Sequence, residues 1–198
     1  MLGTSLSSQQ VGTYAEPFKC PIVVPGKMTD EVRVTLPIPD QGVVITHYTV
    51  LPEWLDYNNH MNVAYYIATF DLGIDALKAV YGINASYIET EKRSTVALEA
   101  HITYQNEASL GEELDVHTRV LDFDAKRTHL YQEMYRGDVL LATQETLSIS
   151  FNLQARKSCA FDERVAARIA ALHGAQQALP RPTWAGQAVG IRRKSTST

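Results

Sequence analysis

Pro52-Glu53-Trp54-Leu55-Asp56-Tyr57-Asn58-Asn59-His60-Met61-Asn62 is the stretch on which the reading of this chain turns, and Val63-Ala64-Tyr65-Tyr66 follows it directly. Val43 to Leu51 before it is rich in β-branched residues and reads as a strand. After it, Val63, Ile67, Phe70, Ile74, Leu77 and Tyr81 recur at helical spacing, one apolar stripe that Gly82 terminates. A polar junction between a strand and a helix N-terminus is a natural seat for developing negative charge. Asp56, Asn58 and His60 are spaced by two. In an extended segment they would project to one side, roughly 6–7 Å apart per step. Asn62 is placed to cap the helix.

Working outward, the period changes from helical to two. Val96, Leu98, Ala100, Ile102 and Tyr104 alternate with polar residues, which predicts a strand with one buried and one polar face. Gly111 marks a turn. Leu114 to Phe123, Thr128 to Tyr135 and Val139 to Phe151 read as three more strands, with a tight hairpin at Arg136-Gly137-Asp138 and a looser one at Asp122 to Lys126. One strand, a long helix and four antiparallel strands make an α+β pattern with the helix against a sheet face. Asp162-Glu163 opens a short helix with Val165, Ile169 and Leu172 as its stripe. The expected division is an extension over 1–42, rich in proline from Pro17 onward, a main domain over 43–154, and a C-terminal helix and basic tail over 155–198.

With 198 residues, 45% apolar, 20% charged and a net charge of −4, the composition is that of an ordinary globular domain. The mildly acidic balance argues against nucleic acid as the main partner. The first 18 residues have no basic start and no apolar core of a signal peptide, and no apolar run approaches the ~20 residues of a membrane span. Cys20 and Cys159 are far apart and form no metal-type pair, which points to a reducing compartment and a cytoplasmic protein. His47, His101, His117 and His129 are scattered along predicted strands rather than clustered at zinc spacing. A Gly-x-Ser-x-Gly elbow and a phosphate-cradling glycine loop are absent. A hydrolase needing no metal and no cofactor is therefore expected.

Asp-x-Asn-x-His-Met-Asn before a Tyr-containing helix resembles the signature of hot-dog-fold thioesterases, and the resemblance spans about Val43 to Asn152. It is similar both to the 4-hydroxybenzoyl-CoA type, in which the matching Asp is catalytic, and to the acyl-ACP type, in which Asp, Asn and His all are. It also resembles thioesterases of carnitine and betaine catabolism, which carry an Asp-Tyr-Asn-Gly-His-Met-Asn-like stretch. Asn59 stands where Gly is usual, and Asn is the non-glycine residue that best tolerates a positive φ. The resemblance implies a hot-dog fold, an acyl-CoA substrate, and a homodimer or dimer of dimers with sites between subunits. An acyl-ACP thioesterase and a non-catalytic acyl-binding module are the alternatives.

Thioester hydrolysis needs an activated water or a nucleophile, and donors for an oxyanion. Asp56 would serve as general base or as nucleophile; its structural alternative is an Asx turn. Asn58 would orient water or the carbonyl, and His60 would position the thioester or relay a proton. Glu107 is the fourth catalytic candidate, because Tyr104-Gln105-Asn106-Glu107 matches a Tyr-x-x-Glu context of the acyl-ACP enzymes. Strand parity puts Glu107 on the polar face unless the strand bends there. Asp71 matches the helical carboxylate of a second hot-dog class, with a solvated helix residue as the plainer reading. Trp54, Tyr57 and Tyr66 are candidate substrate-binding aromatics, suited to a cationic acyl group such as betainyl. Lys126 and Arg127, in a predicted turn, are candidates for the phosphates of coenzyme A.

Overall fold

The computed structural model describes residues 36–190. The expectations for the proline-rich extension, Cys20 and the basic tail from Arg192 fall outside the described residues. β1 (Val44–Thr49) leads through a short 3-10 turn at Pro52–Trp54 into α1 (Val63–Tyr81), then α2 (Ala85–Glu91). β2 (Arg93–Tyr104), β3 (Glu113–Phe123), β4 (Arg127–Arg136), β5 (Val139–Asn152) and the two-residue β6 (Lys157–Ser158) precede α3 (Glu163–Ala175). The sheet runs β1-β3-β4-β5-β2, antiparallel throughout, with β6 added to β5. This is the hot-dog arrangement, α+β as expected.

The ends of α1 follow from local chemistry. Asn62 Oδ1 accepts from the Ala64 N–H at 3.0 Å, supplying one of the bonds that the first turn lacks. Gly82, at φ +96°, closes the helix in the left-handed region where a Cβ is costly. Along its length α1 buries Tyr65, Tyr66, Thr69, Phe70, Gly73, Ile74, Leu77, Val80 and Tyr81. Its N-terminal half packs with Val50, Met61, Leu114, Val116, Met134 and Leu141, and its C-terminal half with Val120, Leu130 and the Val165, Ile169 and Leu172 stripe of α3. Each fully buried Leu or Phe here contributes about 1.5–3 kcal/mol.

Two sequence expectations need correction. Val63 and Ile67 do not belong to the buried stripe: they are 58% and 47% exposed, and Tyr65, Tyr66 and Thr69 turn inward instead. Nor does β2 bury one face of a regular alternation. A bulge between Ala97 and Glu99 shifts the register, so that Ile102 and Tyr104 face the helix side while Val96 pairs with Ile149 on the other. β2 is also a sheet edge, and Val96, Leu98 and Tyr104 are 38%, 54% and 47% exposed.

Close contact of helix and sheet depends on Gly73. A Cβ there would lie 2.7 Å from Gln132 Nε2 and 2.9 Å from Thr118 Oγ1. The same Gln132 Nε2, fully buried, donates to the Phe70 carbonyl at 2.7 Å and to Thr118 Oγ1 at 3.0 Å. Its Oε1 accepts from Gln144 Nε2. A polar bracket thus pins α1 to β3, β4 and β5 at the point where the helix has no side chain of its own.

Candidate active site

Asp56 to His60 is not extended, contrary to the spacing argument. It is a tight loop. Asn59 N–H donates to the Asp56 carbonyl at 3.0 Å, Asp56 N–H donates to the His60 carbonyl at 2.9 Å, and Leu55 bridges Met61. Asn59 takes φ +63°, the left-handed conformation that its position in the motif led us to expect. The half-buried Asp56 carboxylate accepts from the Asn58 N–H through Oδ1 at 2.8 Å, an Asx turn. This fixes the carboxylate while leaving Oδ2 without a hydrogen-bond partner among the described residues. The Asx-turn role and a chemical role are therefore compatible in one side chain.

The loop after β2 comes to meet this turn. Met61 N–H donates to the Ala108 carbonyl at 2.8 Å, and His60 forms a β-bridge with Ser109. These contacts set His60 Nε2 3.2 Å from Glu107 Oε1, with both side chains solvent-accessible. Strand parity does not govern Glu107, because β2 ends at Tyr104 and the glutamate sits in the connection. Asp56, Asn58, His60 and Glu107 are thus gathered at one loop pair just ahead of the α1 N-terminus.

Several residues hold the Glu107 loop in place. Gln105 and Asn106 donate backbone N–H groups to the Leu141 carbonyl, and Asn106 Nδ2 donates to the Leu140 carbonyl. Arg136 Nη1 lies 2.9 and 2.8 Å from the two carboxylate oxygens of Glu112, and Glu112 Oε2 accepts from the Ser109 N–H at 2.9 Å. Desolvation works to raise the Glu112 carboxyl, but the Arg136 guanidinium and the Ser109 N–H outweigh it and hold it below the usual carboxylate range. Nothing in the local sequence marks this pair, since it joins a turn to the end of a different strand.

The aromatic candidates separate into different roles. Tyr66 is buried. Its hydroxyl accepts from the Ala108 N–H at 3.0 Å, its ring meets Tyr104 edge-on at 5.4 Å, and burial raises its phenol. It therefore props the Glu107 loop instead of offering an open ring face. Trp54 is half-buried and stacked on Tyr65 at 5.4 Å, whereas Tyr57 is 94% exposed at the tip of the turn. Trp54 and Tyr57 are the rings beside the motif with accessible surface.

Lys126 and Arg127 do not join this group. Lys126 ends the β3–β4 turn and Arg127 opens β4, beyond the end of β3 opposite to the one that adjoins the motif, a strand of 11 residues and so about 35 Å away. Arg127 is engaged by Asp124, whose carboxyl is pulled down to about 2 by Arg127 and by the turn N–H groups. Asp71 lies on the outer side of α1, exposed, its carboxyl raised by partial desolvation and by Asp75. The strand histidines face away from α1: His47 pairs with Asp115 and His129 with Glu145, each at 2.6 Å. No group of three or more His, Cys, Asp and Glu among the described residues is arranged to hold a metal.

The thioesterase-like superfamily model matches residues 50–169, from the strand end before the motif into α3. A betainyl-CoA thioesterase of Pseudomonas aeruginosa is 34% identical over 152 residues, covering 75% of this chain and 96% of that protein. An L-carnitine dehydrogenase/betainyl-CoA thioesterase of Ruegeria pomeroyi is 36% identical over 75% of this chain, which spans 30% of that longer protein. Among solved structures, a Staphylococcus aureus protein in complex with CoA superposes with a TM-score of 0.72 at 30% identity, covering 76% of this chain and 96% of the other. A candidate thioesterase of Pseudomonas putida KT2440 gives 0.66 at 31% identity, over 76% and 98%. With its sheet curled about α1, its motif loop intact and a family match over most of the described residues, this chain belongs to the thioesterase-like superfamily and is a hot-dog-fold thioester hydrolase.

Proposed function

We propose that this protein hydrolyses acyl-CoA thioesters to the free acid and CoA, with a short cationic acyl group such as betainyl as its preferred cargo. The observation that carries the reading is the pairing of His60 with Glu107 where the loop after β2 meets the turn that fixes the Asp56 carboxylate, ahead of α1. Asp56 either removes a proton from the attacking water or attacks the carbonyl itself. His60, oriented by Glu107, and Asn58 bind the thioester and its developing oxyanion. Collapse of the tetrahedral intermediate breaks the C–S bond and releases the CoA thiolate, which takes up a proton; where Asp56 is the nucleophile, the mixed anhydride left on it is then hydrolysed by water, which releases the free acid and restores the carboxylate. Substrate preference rests on the relatives' names and on Trp54 and Tyr57 beside the motif, whose ring faces attract a quaternary ammonium by about 0.5–2 kcal/mol each.

The active form is proposed as a homodimer. The β2 edge carries Leu98 and Tyr104 exposed, and α1 shows Val63 and Ile67 to solvent, an apolar surface suited to a second copy. In that assembly Lys126 and Arg127 would serve a site that includes residues of the other subunit. No helix among the described residues is long and apolar enough to cross a membrane. A cytoplasmic location is proposed from the cysteine usage alone. The function is tested by thiol release from a panel of acyl-CoA and acyl-ACP esters that includes betainyl-CoA and its neutral isostere 3,3-dimethylbutyryl-CoA. A specificity constant about tenfold or more in favour of betainyl-CoA is expected. Equal constants would remove the cationic preference, and no thiol release from any ester would remove the hydrolase reading.

A further inference from the structure

Ala108 lies between Glu107 and Ser109 in the connection after β2, and it is fully buried. The peptide groups on either side of it have all four polar ends engaged. In the first, the Glu107 carbonyl accepts from Arg136 Nη1 at 3.4 Å and the Ala108 N–H donates to the Tyr66 hydroxyl at 3.0 Å. In the second, the Ala108 carbonyl accepts from the Met61 N–H at 2.8 Å and the Ser109 N–H donates to Glu112 Oε2 at 2.9 Å. Met61 belongs to the motif turn, Arg136 to the end of β4, and Tyr66 is the fourth residue of α1.

A peptide group is planar, so holding its N–H at one end and its C=O at the other fixes the plane. The plane held by Tyr66 and Arg136 is the one that leaves Glu107. The Glu107 side chain is 67% exposed, so packing does little to direct it. The backbone decides where its carboxylate starts from, and that carboxylate stands 3.2 Å from His60 Nε2. Tyr66 makes the shorter of the two bonds, and its own place is fixed: it is buried, with its ring edge-on to Tyr104 at 5.4 Å. Burial raises its phenol, and the charges of Glu107 and Glu112 add to this, so at neutral pH it stays protonated and serves as a fixed acceptor.

We propose that Tyr66 is a positioning residue for hydrolysis: it accepts the Ala108 N–H, fixes the Glu107–Ala108 peptide and so keeps the Glu107 carboxylate against His60. This role rests on the orientation of His60 by Glu107 proposed above. Without the phenol oxygen, the N–H of the buried Ala108 has no acceptor, and the loop shifts until water or another oxygen supplies one. A displacement of about 1 Å at the reaction centre is enough to cost about 10²-fold in rate.

Tyr66→Phe removes the acceptor and keeps the ring, and the full chain is assayed with its best acyl-CoA ester. A kcat lower by about tenfold or more is expected. KM should stay within about threefold of wild type, because the hydroxyl is turned to Ala108 and not to substrate. Amide exchange across residues 105–109 should be faster than in wild type. In a Glu107→Gln background the same substitution should lower kcat by no more than about twofold. Tyr87→Phe, which removes a buried hydroxyl bonded to Asp162 in the part of the core shared with α3, should turn over as wild type does. A Tyr66→Phe protein with kcat within about threefold of wild type, whatever its melting temperature, would overturn the positioning role. So would unchanged amide exchange, or a tenfold loss that persists in full in the Glu107→Gln background. Wild-type turnover by Glu107→Gln itself would instead remove the orientation of His60 on which the role rests.

Discussion

His60 Nε2 and Glu107 Oε1 lie 3.2 Å apart, although one residue precedes α1 and the other follows β2. The backbone bridge between His60 and Ser109 and the Met61–Ala108 hydrogen bond build that proximity before any side chain is placed. If the pair works as a unit, its losses are not additive. His60→Ala and Glu107→Gln should each reduce kcat, by on the order of 10². The double variant should fall no more than about threefold below the worse single one. A double variant whose loss equals the product of the two single losses would mean that the residues act independently.

The Arg136–Glu112 pair should make the Glu107 loop acid-sensitive. Glu112 has its carboxyl held down in the folded state, so the stabilisation is present above its unfolded value of about 4.3 and is lost as pH falls through the lower folded value. At neutral pH, Glu112→Gln should lower the melting temperature by about 2–4 °C, the equivalent of about 1 kcal/mol. That difference should shrink once the pH drops below about 4. Melting curves at a series of pH values check this, and a gap that stays constant into acid would show that the charge is not what matters.

Gly73→Ala tests the polar bracket between helix and sheet. The added methyl would meet Gln132 Nε2 at 2.7 Å and Thr118 Oγ1 at 2.9 Å, both buried and bonded to each other. Overpacking of this kind costs about 1–3 kcal/mol, and a fall of roughly 3–10 °C in melting temperature is expected. Activity per folded molecule should change little. A melting temperature within about 1 °C of wild type would show that the bracket yields freely.

Most of this architecture was legible because its signals are local. The switch from helical to alternating period, Gly82 and Gly137 as stops, and Asn62 as cap all act within a few residues of where they appear. Reading failed where tertiary context decides. Val63 and Ile67 are apolar at helical spacing, yet the buried face at that end belongs to Tyr65, Tyr66 and Thr69, although each carries a hydroxyl. The β2 alternation hid a bulge, and an edge strand stays exposed however apolar it is. α2 carries little signal of its own: Asn84, whose side chain accepts from the Tyr87 N–H, is its local cue, and seven residues carry little periodicity. In the candidate site, the motif turn was readable as a list of residues but not as a shape. The Arg136–Glu112 clamp, joining distant segments, left no trace in the spacing.

The central claim is that Asp56 carries the chemistry, and Asp56→Asn tests it most directly. The amide oxygen can still accept from the Asn58 N–H, so the Asx turn is retained while the charge and the basic oxygen are removed. Steady-state hydrolysis of the best acyl-CoA ester is measured alongside the melting temperature of the same preparation. The account predicts a melting temperature close to wild type and a kcat lower by on the order of 10²–10⁴. A folded Asp56→Asn protein that turns over within about threefold of wild type would contradict it.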